Sequence, residues 1–212
     1  MEERKLSITK TANYVLSGNK KAKKLLLVFH GYGQMAKYFI RKFEVLKEDY
    51  LVVAPEGLHY FYTQGFDGRV GASWMTKENR DTEIQDYLNY IDTLLSQIQK
   101  EFPQIEEINL LGFSQGTATA SRYFMHTSYG INRFIMWSGF PAHDIDYEVF
   151  KKKLLAKPML LVQGKTDELR PEGLFANTIL SYKESNLSFE LTWYDGGHAV
   201  DSVCLDQLLK LP

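Results

Sequence analysis

A serine between two glycines is the feature of the sequence most suggestive of chemistry. Ser114 lies in the stretch G-F-S-Q-G (residues 112–116), which overlaps the end of the predicted strand 108–113 and precedes small residues that open a helix. A strand, a sharp turn and a helix in this order are typical of a nucleophile whose hydroxyl is held exposed. Glycines are needed at 112 and 116 because a side chain there would collide with the neighbouring strand and helix. The helix N-terminus adds backbone N–H donors where negative charge develops.

A serine hydroxyl is a weak nucleophile, so it needs a base that is in turn oriented by a carboxylate. Asp167 follows the predicted strand 159–162, and His198 follows the predicted strand 189–194. Each of the three residues therefore lies just beyond a different strand, in the chain order Ser, Asp, His that is expected for this kind of turn. The pattern predicts a catalytic triad of Ser114, Asp167 and His198.

Two other carboxylates compete with Asp167. Glu168 is its neighbour, and Asp195 lies three residues before His198. We favour Asp167 because its side chain is shorter than that of Glu168. Asp195 would have to fold back within its own loop to reach the histidine.

The oxyanion formed when a serine attacks a carbonyl group needs two fixed backbone donors. We predict the amides of Gln115, next to the nucleophile, and of Tyr32, in the glycine-rich turn 30–34 after the strand 25–29. His30 ends that strand, and we expect it to hydrogen-bond to loop backbone and hold the turn instead of acting as a base.

The same turn admits a competing interpretation. Residues 31–36 read G-Y-G-Q-M-A, and Glu56 lies just past the next strand, as in a dinucleotide-binding fingerprint. We set this alternative aside because it leaves Ser114, Asp167 and His198 unexplained. The sequence has no phosphate-binding G-x-x-x-x-G-K motif, and its 5 histidines form no closely spaced ligand pair. We therefore predict neither a cofactor nor a metal.

These residues must be positioned by a sheet of mostly parallel strands with helices on both faces, because strands and helices alternate along the chain. Ligands bind beyond the carboxyl ends of such strands. Apolar spacing predicts a helix over 82–98, with Thr82 and Gln85 as a capping box. The other expected strands are one or two edge strands in 5–15 and those over 25–29, 51–54, 108–113, 134–137, 159–162 and 189–194; the other helices are 116–124, 172–182 and 199–209.

Composition narrows the function further. The chain has 212 residues and a formal charge of −1, so we expect one domain over 1–212 and no nucleic acid partner. Its single cysteine, Cys204, permits no internal disulfide and is most simply a core thiol. The polar opening residues lack the apolar core of a signal peptide, and no run is long enough to cross a membrane. We expect a cytoplasmic protein without an integral membrane segment, either a monomer or a homodimer.

Taken together, the motifs resemble the phospholipase/carboxylesterase family of α/β-hydrolases. The resemblance implies an α/β-hydrolase fold without a large cap domain. It also implies a cofactor-free serine esterase that uses Ser114, Asp167 and His198, with Tyr32 and Gln115 as oxyanion donors. Gln34 and Thr117 differ from the acidic residue and the glycine of thioesterase-like members. The motifs that carry the resemblance are H-G-Y-G (30–33), G-F-S-Q-G (112–116), S-G (138–139), G-x-x-D-x-x-x-P (164–171) and G-G-H (196–198).

The substrate is expected to be a small ester or thioester. The long aromatic stretch between the strand 51–54 and the helix 82–98 contains Tyr62, Trp74 and Met75, which we assign to an acyl pocket together with Phe140. The alternative is that these rings only fill a satellite core under the loop. Lysophospholipase or acyl-protein thioesterase activity and a non-catalytic binding role on a hydrolase scaffold also stay open.

Overall fold

The computed structural model describes residues 1–154 and 157–210. The single domain predicted over 1–212 includes residues 155–156 and 211–212, which lie outside the described part. The strands are β1 (Tyr14–Gly18), β2 (Lys24–Phe29), β3 (Tyr50–Pro55), β4 (His59–Tyr62), β5 (Val70–Ser73), β6 (Glu107–Phe113), β7 (Arg133–Trp137), β8 (Met159–Gly164) and β9 (Phe189–Tyr194). The helices are α1 (Ala36–Phe39), continued by a 3-10 helix (Ile40–Leu46), α2 (Arg80–Glu101), α3 (Gln115–His126), α4 (Tyr147–Leu154), α5 (Glu172–Glu184) and α6 (Ser202–Lys210).

In the described residues, seven strands form one sheet in the order β1-β3-β2-β6-β7-β8-β9. Every neighbouring pair is parallel except β1 and β3, which are antiparallel. The central strands are buried on both sides, which is why they appear in the sequence as continuous apolar runs instead of alternating ones. The predicted mostly parallel sheet is confirmed.

Helices cover both faces of this sheet. Leu25, Leu27 and Phe29 of β2 point into one hydrophobic core, which they share with α2, α3, α4 and α5. Leu26 and Val28 point into a second core, which is closed by α1, the 3-10 helix and α6. The strands thus place their carboxyl ends, and the loops that follow them, along one exposed edge.

The predicted capping box of α2 is wrong. The helix begins at Arg80, after Asn79 in a left-handed conformation with φ 50°, and no side chain caps it. Thr82 therefore lies within the first turn, where its hydroxyl accepts a 2.6 Å hydrogen bond from Lys5. The start of the helix was misplaced because Asn tolerates the left-handed region, a property that no spacing rule captures.

The predicted edge strands of 5–15 are also largely wrong. Only the end of that range is strand, because β1 begins at Tyr14, directly opposite Pro55 at the end of β3. The pairing stops at Tyr14 because its partner strand β3 ends at Pro55, and residues 1–13 are not in a strand. A feature missed from the sequence is the two-stranded hairpin of β4 and β5, which lies in the stretch expected to be a long loop.

Candidate active site

Ser114 lies in the sharp turn between β6 and α3. Its φ of 54° and ψ of −121° place it in a region that side chains rarely adopt, and it is the residue directly before α3. A Cβ at residue 112 would lie 2.5 Å from the carbonyl oxygen of Gly116, and a Cβ at Gly116 would overlap the backbone of Phe29. The two glycines therefore let β6, α3 and β2 approach closely while the turn holds the serine outward.

Asp167 and His198 form a hydrogen-bonded pair. His198 Nδ1 donates to both carboxylate oxygens of Asp167, at 3.0 and 2.9 Å. The Asp167 side chain is 1% exposed, whereas that of His198 is 20% exposed and reaches the surface. The backbone N–H of Leu169 donates a further 3.0 Å bond to the same carboxylate. The carboxylate is thus fixed in place, and it leaves Nε2 of the imidazole as the free nitrogen.

The loops that carry these two residues are joined to each other. Thr166 N donates to the carbonyl of Gly196, and the Tyr194 hydroxyl lies 2.6 Å from the carbonyl oxygens of Gly197 and Ala199, on either side of His198. The imidazole position therefore depends on tertiary contacts as well as on its own short loop.

The competing carboxylates are engaged elsewhere or exposed. Asp195 forms a 2.7 Å ion pair with Lys165, and its side chain is 89% exposed. Glu168 is exposed. The structure thus brings Asp167, and neither of these two, to the histidine.

Ser114 and His198 line one cleft. The ring of Phe113 packs against the imidazole at 5.0 Å between centroids. Within the described part of the chain, the Ser114 hydroxyl has no hydrogen-bond partner. Such contacts are often long in unliganded enzymes and shorten when substrate binds.

The proposed oxyanion donors are both available. Among the residues that the structure describes, the backbone N–H groups of Tyr32 and Gln115 donate to no protein acceptor. The turn that carries Tyr32 is fixed by a 2.9 Å bond from Gly33 N to the carbonyl of Ala72 in β5. The Gln115 side chain donates to Ser73 Oγ at 3.2 Å, so the hairpin and the start of α3 are tied together.

His30 has a structural position, as expected. It is fully buried, its Nδ1 donates to the carbonyl of Gly31 at 2.8 Å, and its Nε2 accepts from Gly57 N at 3.0 Å. Burial lowers the pKa of His30 to about 4, so the ring is neutral at pH 7. It connects the glycine turn to the backbone that follows β3.

Glu56, the acidic residue of the dinucleotide interpretation, is also occupied. It is buried, and its carboxylate accepts a 2.7 Å bond from Ala36 N at the start of α1. Burial raises the pKa of this carboxyl. Its position holds α1 on the sheet and leaves no exposed carboxylate for a ribose.

A family model decides the class of the protein. The model described as serine hydrolase (FSH1) matches residues 19–202, which include Ser114, Asp167 and His198. The chain belongs to the serine hydrolase (FSH1) family. The predicted resemblance to small serine esterases is confirmed. No curated protein sequence matches the chain.

Solved structures agree with this serine hydrolase in fold. The esterase PE8 has a TM-score of 0.71 at 19% identity, over 95% of this chain and 99% of that one. The carboxylesterase from Mesorhizobium loti has a TM-score of 0.70 at 18% identity, over 95% of each chain. Acyl-protein thioesterase 2 from Zea mays has a TM-score of 0.66 at 18% identity, over 93% and 96%. The α/β-hydrolase fold without a large cap is confirmed.

The pocket prediction for the serine hydrolase needs correction. Trp74 is fully buried, its Nε1 donates a 2.9 Å bond to the His30 carbonyl, and its ring packs on Phe29. It is a core residue, because an indole with a carbonyl partner is stable inside the protein. Tyr62 is exposed on β4 and is not among the residues that line the cleft at Ser114.

The cleft at Ser114 has a volume of about 240 Å³. Phe140 lines it, as predicted, whereas Met75 lies in a neighbouring groove beside Gln115. Thr117 also lines the cleft, and its hydroxyl lies 2.6 Å from the Phe140 carbonyl oxygen. A Cβ at residue 139 would lie 2.5 Å from Thr117 Oγ1, so the glycine makes room for the threonine.

Sequence reasoning missed the wall of the cleft that follows β8. Leu169, Arg170, Pro171 and Leu174 all line it. The signal was present, since these residues follow Asp167 in the loop beyond β8 and in the first turn of α5.

Among the helices that the structure describes, none is long and apolar enough to cross a membrane. In the part of the chain that the structure describes, no group of three or more His, Cys, Asp and Glu side chains is arranged to hold a metal ion.

Proposed function

We propose that this serine hydrolase cleaves short carboxylic esters or thioesters through a Ser114–His198–Asp167 triad and an acyl-enzyme intermediate. The observation that carries the proposal is the bond from His198 to the buried Asp167 carboxylate, at a cleft whose wall includes the strained Ser114. A fixed imidazole with a free Nε2 is the base that a serine nucleophile requires.

In the first step, Ser114 Oγ forms a bond to the ester carbonyl carbon while His198 Nε2 takes the hydroxyl proton. The electron pair of the C=O bond moves to the oxygen. The resulting oxyanion is stabilised by the free N–H groups of Tyr32 and Gln115, together with the positive end of α3. Asp167 holds the tautomer that places Nε2 toward Ser114 and stabilises the imidazolium.

The tetrahedral intermediate then collapses. The bond to the alcohol or thiol breaks, and His198 Nε2 returns the proton to that leaving group, which leaves an acyl ester on Ser114. A water molecule attacks this ester while His198 again accepts a proton. The second collapse releases the carboxylic acid and restores the Ser114 hydroxyl.

The size of the cleft favours short acyl groups. Its volume of about 240 Å³ is below the usual range of roughly 300 to 1,000 Å³ for sites of drug-sized ligands. Thr117 and Phe140 occupy space on its wall. A carboxylesterase acting on small molecules is therefore preferred to a lysophospholipase or an acyl-protein thioesterase, whose substrates carry long chains.

Labelling with a fluorophosphonate tests the nucleophile. Wild-type protein should be labelled, and Ser114→Ala should not. The matched control is Ser128→Ala, because Ser128 is exposed and outside the cleft. Labelling that survives Ser114→Ala would overturn the assignment. A folded wild type that is never labelled would favour a non-catalytic binding role instead.

Chain-length preference separates the esterase classes. We expect kcat/KM for p-nitrophenyl esters to be highest for acetate or butyrate and to fall at octanoate and beyond, because the longer chains extend past the cleft wall and bury little further apolar surface there. A maximum at dodecanoate or palmitate would contradict the short-ester proposal and favour lysophospholipase or thioesterase activity.

A further inference from the structure

Arg170 lines the cleft at Ser114, and it has no acidic partner in the described part of the chain. Arg170 forms part of the wall together with Phe140 and His198. Within residues 1–154 and 157–210, no carboxylate lies within 4 Å of its guanidinium. The contrast is with Arg80 and Arg122, which both bind one aspartate at 2.7 and 2.9 Å. A cation without a counter-charge in the wall of a cleft is able to bind an anionic group there.

The guanidinium of Arg170 is held in place by neutral groups. Its Nη1 donates a 2.7 Å hydrogen bond to the carbonyl of Gly164 at the end of β8. Its carbon Cζ lies 4.8 Å from the ring centroid of Trp193 and 5.5 Å from that of Phe175. Cation–π contacts fix the plane of the side chain without neutralising its charge. The group is thus preorganised, so little conformational entropy is lost when an anion binds.

The placement of Arg170 is coupled to that of the triad. Its backbone N–H donates to the carbonyl of Asp167 at 3.2 Å, so both residues belong to one turn after β8. In this turn Asp167 accepts the hydrogen bonds of the His198 imidazole, and Arg170 forms part of the cleft wall. The turn therefore sets catalytic and binding groups in a fixed relation.

The chemistry of the cleft points to a single negative charge. A guanidinium has five N–H donors in a planar fork that matches a carboxylate, and only one hydrogen bond from this fork is made within the described residues. Lys165 is the Lys or Arg residue closest to Arg170 along the sequence. It is paired with Asp195 and is not part of the cleft wall. One arginine balances one carboxylate, whereas a phosphate monoester would bring a second, unmatched charge.

We infer that Arg170 selects esters that carry a carboxylate a few carbon atoms from the bond to be cleaved. The substrates would be half-esters of short dicarboxylic acids, or acyl esters of short hydroxy acids. This inference rests on the proposed esterase function and names its substrate class. A short spacing is expected because Ser114 and Arg170 line the same small cleft.

Two matched ester pairs test the inference and locate the charge. Methyl hydrogen glutarate and methyl valerate differ by a carboxylate on the acyl side, and 4-acetoxybutanoate and butyl acetate differ by one on the alcohol side. In one of the pairs, we expect kcat/KM to be about tenfold or more higher for the charged ester, as for a charge-assisted hydrogen bond. Equal values within both pairs would overturn the inference.

Variants assign the preference to Arg170. In Arg170→Gln the ratio of charged to neutral ester should fall close to one, and in Arg170→Lys it should be intermediate, because an ammonium lacks the planar fork. Lys165→Gln is the matched control: it removes a cation from the same loop and should keep the wild-type ratio. A ratio that persists in Arg170→Gln would refute the role of this arginine.

Binding without turnover separates this inference from the proposed function. In the Ser114→Ala background, calorimetric titration with methyl hydrogen glutarate should show binding that is lost on adding Arg170→Gln. If binding in the Ser114→Ala background depends on Arg170 but the wild type hydrolyses no ester, the result would support the role of Arg170 in binding and refute the esterase proposal. Hydrolysis without any charge preference would refute the inference alone.

Discussion

His198 donates its Nδ1 hydrogen to both oxygens of the Asp167 carboxylate, at 3.0 and 2.9 Å, while Asp167 is almost fully buried. This geometry fixes one tautomer of the imidazole, because the carboxylate can only accept. An amide at position 167 would offer its NH₂ group as readily as its oxygen, so the tautomer would no longer be defined.

Asp167→Asn should therefore lower kcat for p-nitrophenyl acetate by roughly 10⁴-fold, the scale known for the equivalent change in serine proteases. The folded structure should persist, since the shape of the side chain is kept. Steady-state kinetics and the rate of fluorophosphonate labelling measure the effect. Asp195→Asn is the control, and a loss as large as that of Asp167→Asn would show that the wrong carboxylate had been assigned.

His30 gives the protein a pH dependence that is independent of catalysis. The buried ring has a pKa of about 4, below the unfolded value of 6.5. Below pH 6.5 the unfolded chain binds a proton that the folded ring rejects, so stability is lost as the pH falls from 6.5 to 4. The loss from this group is on the order of 3 kcal/mol.

Urea unfolding of wild type and His30→Gln at pH 7 and at pH 4.5 tests this. The variant should be less stable at pH 7, where it loses the well-fitted ring, and the difference from wild type should shrink at pH 4.5. The control is His143→Gln, at an exposed histidine. In this variant the free energy of unfolding should change between pH 7 and pH 4.5 as much as it does in the wild type. The same dependence in wild type and His30→Gln would refute the role of His30.

Gly116 sets the distance between α3 and β2. A Cβ there would overlap the carbonyl oxygen of Phe29, and neither backbone can yield easily. We expect Gly116→Ala to lower the free energy of unfolding by about 3 kcal/mol, at the upper end for overpacked cores, and to slow labelling of Ser114.

The control for Gly116→Ala is Gly173→Ala. A Cβ at residue 173 meets no atom within 4 Å, and the position lies in the first turn of α5. The alanine should raise the free energy of unfolding by up to about 1 kcal/mol through helix propensity. Urea denaturation compares the two variants, and equal effects would show that close approach at Gly116 is unimportant.

The sequence predicted the parallel sheet well because buried strands carry a strong local signal. The runs that became β2 and β3 are apolar at almost every position, and the turns or loops after β6, β8 and β9 hold Ser114, Asp167 and His198. Chain order was enough to group Ser114, Asp167 and His198, since parallel strands bring their carboxyl ends to one edge.

The hairpin and the pocket were missed because they depend on contacts distant in sequence. In β4, partly buried side chains alternate with exposed ones, a period of two that was obscured by its aromatic composition. Trp74 lies in the core because the His30 carbonyl accepts a hydrogen bond from its indole N–H. The setting of Arg170 depends on Trp193 of β9, which the motif around Asp167 does not reveal.

Asp144 holds a nearly buried arginine and is the site of the last prediction. Its carboxylate binds Arg122, whose side chain is 9% exposed, at 2.9 Å, and Arg80 at 2.7 Å. Partial burial would raise the pKa of Asp144, but the bonds from the two arginines outweigh it and lower the pKa from 3.8 to about 2. The carboxylate thus stays charged in the folded protein at pH values where the unfolded chain is protonated.

Asp144→Asn should lower the free energy of unfolding at pH 7 by about 1 to 2 kcal/mol, because the nearly buried Arg122 loses its counter-charge. The effect is smaller than for a fully buried pair because the Asp144 side chain is 37% exposed and solvent screens its charge. The contribution of Asp144 is complete above pH 4 and is lost as the pH falls toward 2. The difference between wild type and variant should therefore narrow in that window, as measured by urea unfolding. Asp81→Asn removes the 93% exposed partner of Arg80 and should change stability little. If both variants behave alike at pH 7, the pair with Arg122 has no special importance, and burial of this arginine depends on its contacts with Met75 and Tyr87.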